Sequence, residues 1–240
     1  YQIKIKNLET GKHFKEVLEN TTGSVTWADD ETIFYAVQDK ETLRSYQIYA
    51  HRLGTEQHKD VLIYEEKDET FSCYVYKSKS EKYIIINSSS TLSDEYRLIN
   101  AEKPFSKPVL FQKRERGLEY SLYHHPKGFY ILTNQDHKNF SIKFCNSNHT
   151  KKSNWETVIK GSNDTLIAGI DMFNSHMVVS ERSNGLVNLK VVDLDSLKTH
   201  LIPFKEPTYV VQTTTNINLE SKKLRLSLIH ISEPTRPIAI

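Results

Sequence analysis

The stretch Ser45–Phe71, SYQIYAHRLGTEQHKDVLIYEEKDETF, contains the unit from which the fold can be predicted. Polar and apolar residues alternate in Tyr46–Arg52 and again in Asp60–Tyr64, which indicates two β-strands. The polar segment Leu53–Lys59 joins them as a hairpin, and the acidic loop Glu65–Glu69 leads to the next strand. Because variants of this unit recur along the chain, we predict a repeat protein with the acidic loop at one end of its modules.

The recurrence has a regular period. In the unit that follows the acidic loop, the four predicted strands are Phe71–Lys77, Tyr83–Asn87, Glu95–Asn100 and Val109–Gln112. The first strands of successive units align at about Val25, Tyr74, Leu122, Gly169 and Val211. This spacing of roughly 43–49 residues, with four strands per unit and no helical pattern, is typical of β-propeller blades.

We therefore predict an all-β fold, a β-propeller of four-stranded antiparallel blades. The 240 residues supply half a blade, four blades and the start of another, so the expected propeller is incomplete, with about four to five blades of an expected seven. A β-sandwich with short strands is the alternative. The chain begins at Tyr1 within a predicted strand and without an initiator Met, which predicts a fragment.

The composition argues against several classes of partner. The net charge is +2 with both signs interspersed, so we expect no nucleic-acid-binding face. No apolar run approaches the roughly 20 residues of a membrane span, and no signal peptide is visible. Cys73 and Cys145 lie in strand-like runs, which favours two small buried side chains in a reduced, cytoplasmic protein over a disulfide.

The motifs of common active sites are missing from the sequence. None of the 8 glycines lies in a G-x-S-x-G arrangement, and the H-E-x-x-H, C-x-x-C, P-loop and G-x-G-x-x-G patterns do not occur. His124 and His125 are adjacent in a predicted strand, so their side chains face opposite sides and do not suit one metal ion. We therefore predict no catalytic residue, no metal site and no cofactor in this segment.

The acidic loop Glu65–Glu69 is the best candidate for a functional patch. Its four carboxylates within five residues would attract a cationic ligand or a basic partner surface. The alternative is a solvated loop in which Lys67 dilutes the negative charge.

Several segments carry a resemblance to a known family. The run HRLGTEQHKDVLIYEEKDETF at 51–71 resembles the propeller of the oligopeptidase B branch of the prolyl oligopeptidase family of serine peptidases. The resemblance continues through SDEYRL at 93–98, the block R-x-R-G-L-E-Y-S-L-Y-H-H at Arg114–His125 and FYILTNQDHKNF at 129–140. It covers about Tyr1 to Leu226, with weaker matches in the later part.

The resemblance implies one domain of a serine endopeptidase that cleaves short peptides after Lys or Arg. Its catalytic α/β-hydrolase domain would lie C-terminal to this chain, so the partners are that missing domain and short peptides, and the chain alone is expected to be inactive. The propeller would control access to the active site. The candidates for this gating or interdomain role are Glu65, Glu66, Asp68, Glu69, Arg114 and Arg116.

The resemblance ends before the chain does. We expect residues 1–226 to form the partial propeller and residues 227–240 to be a non-family tail, artefactual or frameshifted, that packs poorly. Pro234 and Pro237 in this tail oppose a central strand. Two other functions stay open: a non-catalytic propeller that binds a peptide or protein, and a proline-specific oligopeptidase.

Overall fold

The structure of the protein is a computed structural model, and it describes residues 1–230. Every regular element in this range is a strand, apart from two 3-10 turns at Gln57–Lys59 and Lys152–Asn154. The strands are β1 (Ile3–Lys6), β2 (His13–Leu18), β3 (Thr21–Trp27), β4 (Thr32–Gln38), β5 (Ser45–Arg52), β6 (Val61–Glu65), β7 (Ser72–Lys77), β8 (Tyr83–Ser89), β9 (Asp94–Asn100), β10 (Val109–Gln112), β11 (Tyr120–His125), β12 (Gly128–Thr133), β13 (Ser141–Cys145), β14 (Glu156–Ile159), β15 (Leu166–Met172), β16 (His176–Ser183), β17 (Leu186–Asp193), β18 (Thr199–Leu201), β19 (Tyr209–Thr213) and β20 (Leu226–His230).

The strands form sheets strictly in sequence order. Four four-stranded sheets consist of β3–β6, β7–β10, β11–β14 and β15–β18, and the hairpins β1–β2 and β19–β20 form two smaller sheets. Each strand therefore pairs only with its neighbours in the sequence, which is the topology of propeller blades. The five aligned positions from Val25 to Val211 all fall in first strands, so the predicted period and the β-propeller fold class are confirmed.

The burial of each strand follows its place in the sheet. The second strands are buried on both faces; in β4 (TIFYAVQ), six of the seven residues are buried. The fourth strands are more polar and open, and Val61, Val109 and Leu201 on them are each exposed. A strand covered on both sides needs a continuous apolar run, whereas a strand at a sheet edge needs one only on its packed face.

The described chain divides into two compact units. The first comprises Tyr1–Ser121 and Asn148–Trp155, and the second comprises Leu122–Ser147 and the chain from Glu156 onward. In the first unit, a core cluster joins the first two four-stranded sheets through residues such as Phe34, Ile48 and Ile84. In the second unit, the corresponding clusters include Ile142, Val179, Leu189 and Val211.

Other predictions concern the cysteines, membrane spans and the C-terminal tail. Cys73 and Cys145 are both buried and free, as predicted. No helix in residues 1–230 is long and apolar enough to cross a membrane. Residues 227–230 form backbone pairs with β19 as part of β20, and the expectation that the tail 227–240 packs poorly stays a prediction. The remainder of the expected tail, 231–240, lies outside the described residues, and its assignment as non-family sequence stays a prediction.

Candidate functional site

Three connections of the first unit meet at one end of its sheets. They are the β6–β7 connection (66–71), the β8–β9 turn (90–93) and the β10–β11 connection (113–119). Two hydrogen bonds join the β10–β11 connection to the β8–β9 turn and the start of β9: the Asp94 N–H donates to the Leu118 carbonyl at 3.1 Å, and the Gly117 N–H donates to Ser93 Oγ at 3.2 Å. In an antiparallel meander, the connections after the second and fourth strands emerge at the same end, so the topology itself gathers these loops.

Arg114, in the β10–β11 connection, binds side chains from the β6–β7 connection and from β9. Its Nη2 donates to Glu66 Oε2 at 2.5 Å and to Glu95 Oε1 at 3.1 Å, while its Nη1 lies 3.6 Å from Asp68 Oδ2. Its own backbone N–H donates to Glu95 Oε2 at 2.9 Å. The guanidinium carbon also lies 3.9 Å from the centre of the Phe71 ring, which is a cation–π contact. One arginine therefore connects the two blades of the first unit.

The carboxylate of Glu66 is buried, and all of its neighbours favour its charge. It accepts hydrogen bonds from the Tyr64 hydroxyl at 2.7 Å and from the Asp68 N–H at 3.0 Å, in addition to Arg114. Burial alone raises the pKa of Glu66, but these hydrogen bonds outweigh burial and hold the pKa below its usual 4.5. Glu66 is therefore ionised and already neutralised at neutral pH.

Glu95 is in the same state on the neighbouring blade. Burial raises its pKa, and the hydrogen bonds from Arg114 together with the charge of Arg97 more than offset that effect and lower it. Arg97 Nη1 lies 2.7 Å from Glu95 Oε1, and the Arg97 guanidinium stacks over the Tyr64 ring at 4.3 Å. We call Glu66, Glu95, Arg97 and Arg114 the arginine network.

Arg44 also binds the 66–71 connection, through its main chain. Its Nη1 donates to three backbone carbonyls of this segment, those of Glu66 at 3.3 Å, Asp68 at 3.4 Å and Phe71 at 2.8 Å. Within the segment, the Asp68 carboxylate accepts from the Thr70 N–H at 3.0 Å and from its hydroxyl at 2.6 Å. The path of the acidic loop is therefore fixed by contacts at both its main chain and its side chains.

The structure brings together only some of the predicted site residues. Glu66, Asp68 and Arg114 lie within one cluster, whereas the Glu65 carboxylate accepts from Gln47 Nε2 at 3.0 Å. Glu69 and Arg116 are exposed and outside the arginine network. The acidic loop is thus not a row of four free carboxylates, because its most buried member is paired within the chain.

The sequence prediction missed Glu95, Arg97, Tyr64 and Arg44. One signal could have found part of the network: Arg114 follows Glu66 by 48 residues, which is one blade period. Residues one period apart occupy equivalent places in successive blades, and other contacts share this separation, such as Lys77 Nζ to the Ala28 carbonyl at 2.9 Å. An acid and a base one period apart are therefore candidates for a contact between blades.

A second buried polar cluster lies between the β1–β2 hairpin and the first four-stranded sheet. His51 is fully buried, with its Nδ1 2.7 Å from Asp60 Oδ1, and Asp60 Oδ2 accepts from the Tyr35 hydroxyl at 2.7 Å. The other ring nitrogen, Nε2, has no hydrogen-bond partner and lies 4.0 Å from Glu16 Oε1. Because His51 has no exposed surface, it cannot reach a substrate.

The β1–β2 hairpin is attached by other contacts as well. Glu16 Oε1 accepts from the Gly54 N–H at 2.8 Å. Gln57 binds both backbone groups of Glu19, with its Oε1 accepting from the N–H at 2.9 Å and its Nε2 donating to the carbonyl at 3.1 Å. We call His51, Asp60, Tyr35 and Glu16 the histidine cluster. Within residues 1–230, no group of three or more His, Cys, Asp or Glu side chains is placed to hold a metal ion.

Comparison with known proteins agrees with this architecture. The chain is 33% identical over 236 residues to dipeptidyl aminopeptidase BI of Pseudoxanthomonas mexicana, which covers 98% of this chain and 32% of that protein. It is 30% identical over 237 residues to protease 2 of Moraxella lacunata, covering 98% of this chain and 34% of that protein. The chain therefore spans about a third of the length of these curated relatives.

A solved structure shares the fold. Oligopeptidase B from Leishmania major superposes with a TM-score of 0.88 at 24% identity, covering 95% of this chain and 34% of that chain. The full length of the sequence, residues 1–240, matches the family described as prolyl oligopeptidase, N-terminal beta-propeller domain. The chain belongs to this family, the propeller domain of the S9 peptidases.

Proposed function

We propose that this chain is the propeller of an oligopeptidase B-like serine endopeptidase that hydrolyses short peptides after Lys or Arg. Its catalytic α/β-hydrolase domain lies outside these residues, which agrees with the one-third share of the relatives' length. The similarity to protease 2 and the fold shared with an oligopeptidase B support this assignment. The buried free thiols of Cys73 and Cys145 agree with a reduced, cytoplasmic location.

Within that enzyme, the end of the sheets that carries the arginine network acts as a rigid rim. The observation that carries this role is the buried contact of Arg114 with Glu66 and Glu95, which ties the connections of two blades together. A rim with a fixed shape can meet a second domain and limit the size of the peptides that pass. Glu65, Glu69 and Arg116 are the predicted contact residues at its surface, and Glu66, Asp68 and Arg114 fix its shape.

The activity can be tested on the full-length protein that contains this chain. We expect turnover of chromogenic peptides ending in Arg or Lys, with an N-terminal blocking group, and inhibition by a serine-reactive reagent. Cleavage after Pro would indicate the proline-specific alternative. Cleavage only of substrates with a free N-terminal dipeptide would instead follow the relative named dipeptidyl aminopeptidase BI. No turnover of any of these substrates would favour the binding module, and turnover by the 240-residue chain alone would contradict the proposal.

The rim can be tested by substrate length. The variant Arg114→Lys keeps the positive charge but loses the planar fork that serves Glu66 and Glu95 together. We expect the ratio of kcat/KM for a peptide of about 30 residues to kcat/KM for a tripeptide to change, because a less rigid rim changes which peptide lengths can reach the active site. Arg182→Lys on β16, an exposed arginine, is the matched control. An unchanged ratio in Arg114→Lys would remove the rim from the mechanism.

A further inference from the structure

A cavity of about 540 Å³ lies beside the arginine network, bounded by the same three connections. Phe71 and Leu92 provide its apolar part, and the Leu92 side chain is 55% exposed. The hydroxyl groups of Ser90 and Thr91 and the side chain of Arg116 provide its polar part. A pocket with an apolar surface and a few polar groups is the common form of a small-ligand site.

The charges around this cavity are unevenly paired. Arg114 is committed to Glu66 and Glu95, and Glu115 forms an ion pair with Lys152. In the part of the chain that the structure describes, no hydrogen bond or ion pair involves the side chain of Arg116. The cavity therefore has one uncommitted charge, and that charge is positive.

This pairing determines which ligand fits. A basic side chain would find no free carboxylate among the residues that line the cavity, since Glu115 is already paired. A carboxylate would meet the Arg116 guanidinium, whose planar fork binds both oxygens of a carboxylate, and the neighbouring hydroxyl group of Thr91, whereas the Ser90 hydroxyl already donates to the Ser93 carbonyl. The exposed surface of Leu92 would accept the side chain beside that carboxylate.

We propose that this cavity binds a carboxylate of a peptide, with Arg116 as the residue that recognises it. The inference rests on the proposed function in one respect, because peptides are taken as the ligand class. It departs from the expectation drawn from the acidic loop, which pointed to a cationic ligand. The carboxylate is either the C-terminal group of the peptide or an acidic side chain near its end.

Binding of fluorescently labelled hexapeptides to the 240-residue chain tests this proposal. One peptide ends in a free leucine carboxylate, the second is its C-terminal amide, and the third is the amide with Glu in the penultimate position. We expect the free acid to bind about tenfold more tightly than the amide, and Arg116→Gln to remove that difference. Because Arg116 is exposed and has no hydrogen bond or ion pair within residues 1–230, we expect this variant to fold as the parent does.

Arg182→Gln, which removes an exposed arginine from β16, is the control and should leave the tenfold preference intact. If the Glu peptide binds as tightly as the free acid, the site accepts a carboxylate from either a side chain or the C-terminus. If only the free acid binds tightly, the site recognises the C-terminal carboxylate. Equal affinities for all three peptides, or an unchanged preference in Arg116→Gln, would overturn the proposal. If the full-length protein has no peptidase activity, the proposed function is refuted, but the peptide affinities of the 240-residue chain still test the carboxylate site.

Discussion

The arginine network and the histidine cluster place buried carboxylates around one nitrogen-bearing side chain, with different results. In the network, Arg114 reaches Glu66, Glu95 and Asp68 and stacks on Phe71. In the cluster, His51 reaches Asp60 alone, and its Nε2 is left facing Glu16 at 4.0 Å without a hydrogen bond. The network pairs each of its buried carboxylates with a cation, whereas the cluster leaves one buried ring nitrogen unsatisfied.

The difference follows from the two side chains. Arginine is always charged and carries five N–H donors in a rigid fork, so one residue can serve carboxylates from several loops. A neutral imidazole has one donor, and in the tautomer in which Nδ1 donates to the ionised Asp60 carboxylate, Nε2 carries no proton. Nε2 is then an acceptor opposite the Glu16 carboxylate, which is an acceptor too. We infer that the network fixes its loops, while the β1–β2 hairpin depends on its other contacts.

Removing the network's cation tests this comparison most strongly. In Arg114→Met, Glu66 stays buried without a compensating charge and Glu95 keeps only Arg97, and we expect the free energy of unfolding to fall by about 3–5 kcal/mol. Urea unfolding of the 240-residue chain measures the change, with Arg116→Met as the exposed control, expected within about 0.5 kcal/mol of the parent. A loss below about 1 kcal/mol in both variants would show that the network is not a stabilising element.

The pH dependence of stability should differ between the parent and Arg114→Lys, in which the ion pairs of Glu66 and Glu95 are weakened. The pKa values of Glu66 and Glu95 are lowered below 4.5 in the folded state, so their contribution is present above about pH 4.5 and is lost as the pH falls through the lowered values. We expect the stability of the parent to fall more steeply below pH 4.5 than that of Arg114→Lys, which holds the two acids less well. Parallel profiles from about pH 7 to about pH 3 would contradict the assigned pairing.

In the histidine cluster, two side chains hydrogen-bond to the buried Asp60 carboxylate: His51 and the hydroxyl of Tyr35. Tyr35→Phe removes it and should lower the free energy of unfolding by about 1–3 kcal/mol. Tyr49→Phe is the matched control, since the Tyr49 hydroxyl makes only a 3.5 Å contact with Gln47. Equal effects of the two substitutions, measured by urea unfolding, would show that Asp60 is not supported through this bond.

The smallest expected effect is a gain in stability. Glu16→Gln keeps an oxygen for the Gly54 N–H and removes the negative charge that lies 4.0 Å from the unbonded Nε2 of His51, which should raise the free energy of unfolding by about 1 kcal/mol at neutral pH. Glu19→Gln in the same hairpin is the control, because the Glu19 side chain meets only the amide of Gln2. A destabilised Glu16→Gln would indicate that Nε2 is protonated and paired with the carboxylate.

The blades were predictable from the sequence because their signal is local. Alternation and turn residues mark each strand, and the period of the first strands from Val25 to Val211 marks each sheet. The candidate site was only partly predictable. The density of acidic residues indicated the acidic loop as a candidate site. The pairing of Glu66 with Arg114 depends on how neighbouring blades pack, and the only sign of it in the sequence is that the two residues are one blade period apart.

The unpaired Nε2 of His51 could not be predicted, because hydrogen-bond satisfaction depends on distances of a few tenths of an ångström. Glu16 and Asp60 are 44 positions apart, so both acids sit at related places near His51, yet only Asp60 comes within bonding distance. Sequence spacing identifies the neighbours of a side chain but not which of them it contacts. The same holds for Arg44, whose partners are main-chain carbonyls that every residue possesses.

That property of Arg44 determines how freely the acidic loop can be mutated. Its guanidinium donates hydrogen bonds to main-chain carbonyl oxygens. Replacing the exposed side chains of Lys67 or Glu69 therefore leaves these hydrogen bonds intact. A saturation library at these two positions would therefore be broadly tolerated, while Arg44 itself would accept few replacements. The chain can thus vary what this loop displays to its surroundings without altering the course of its backbone.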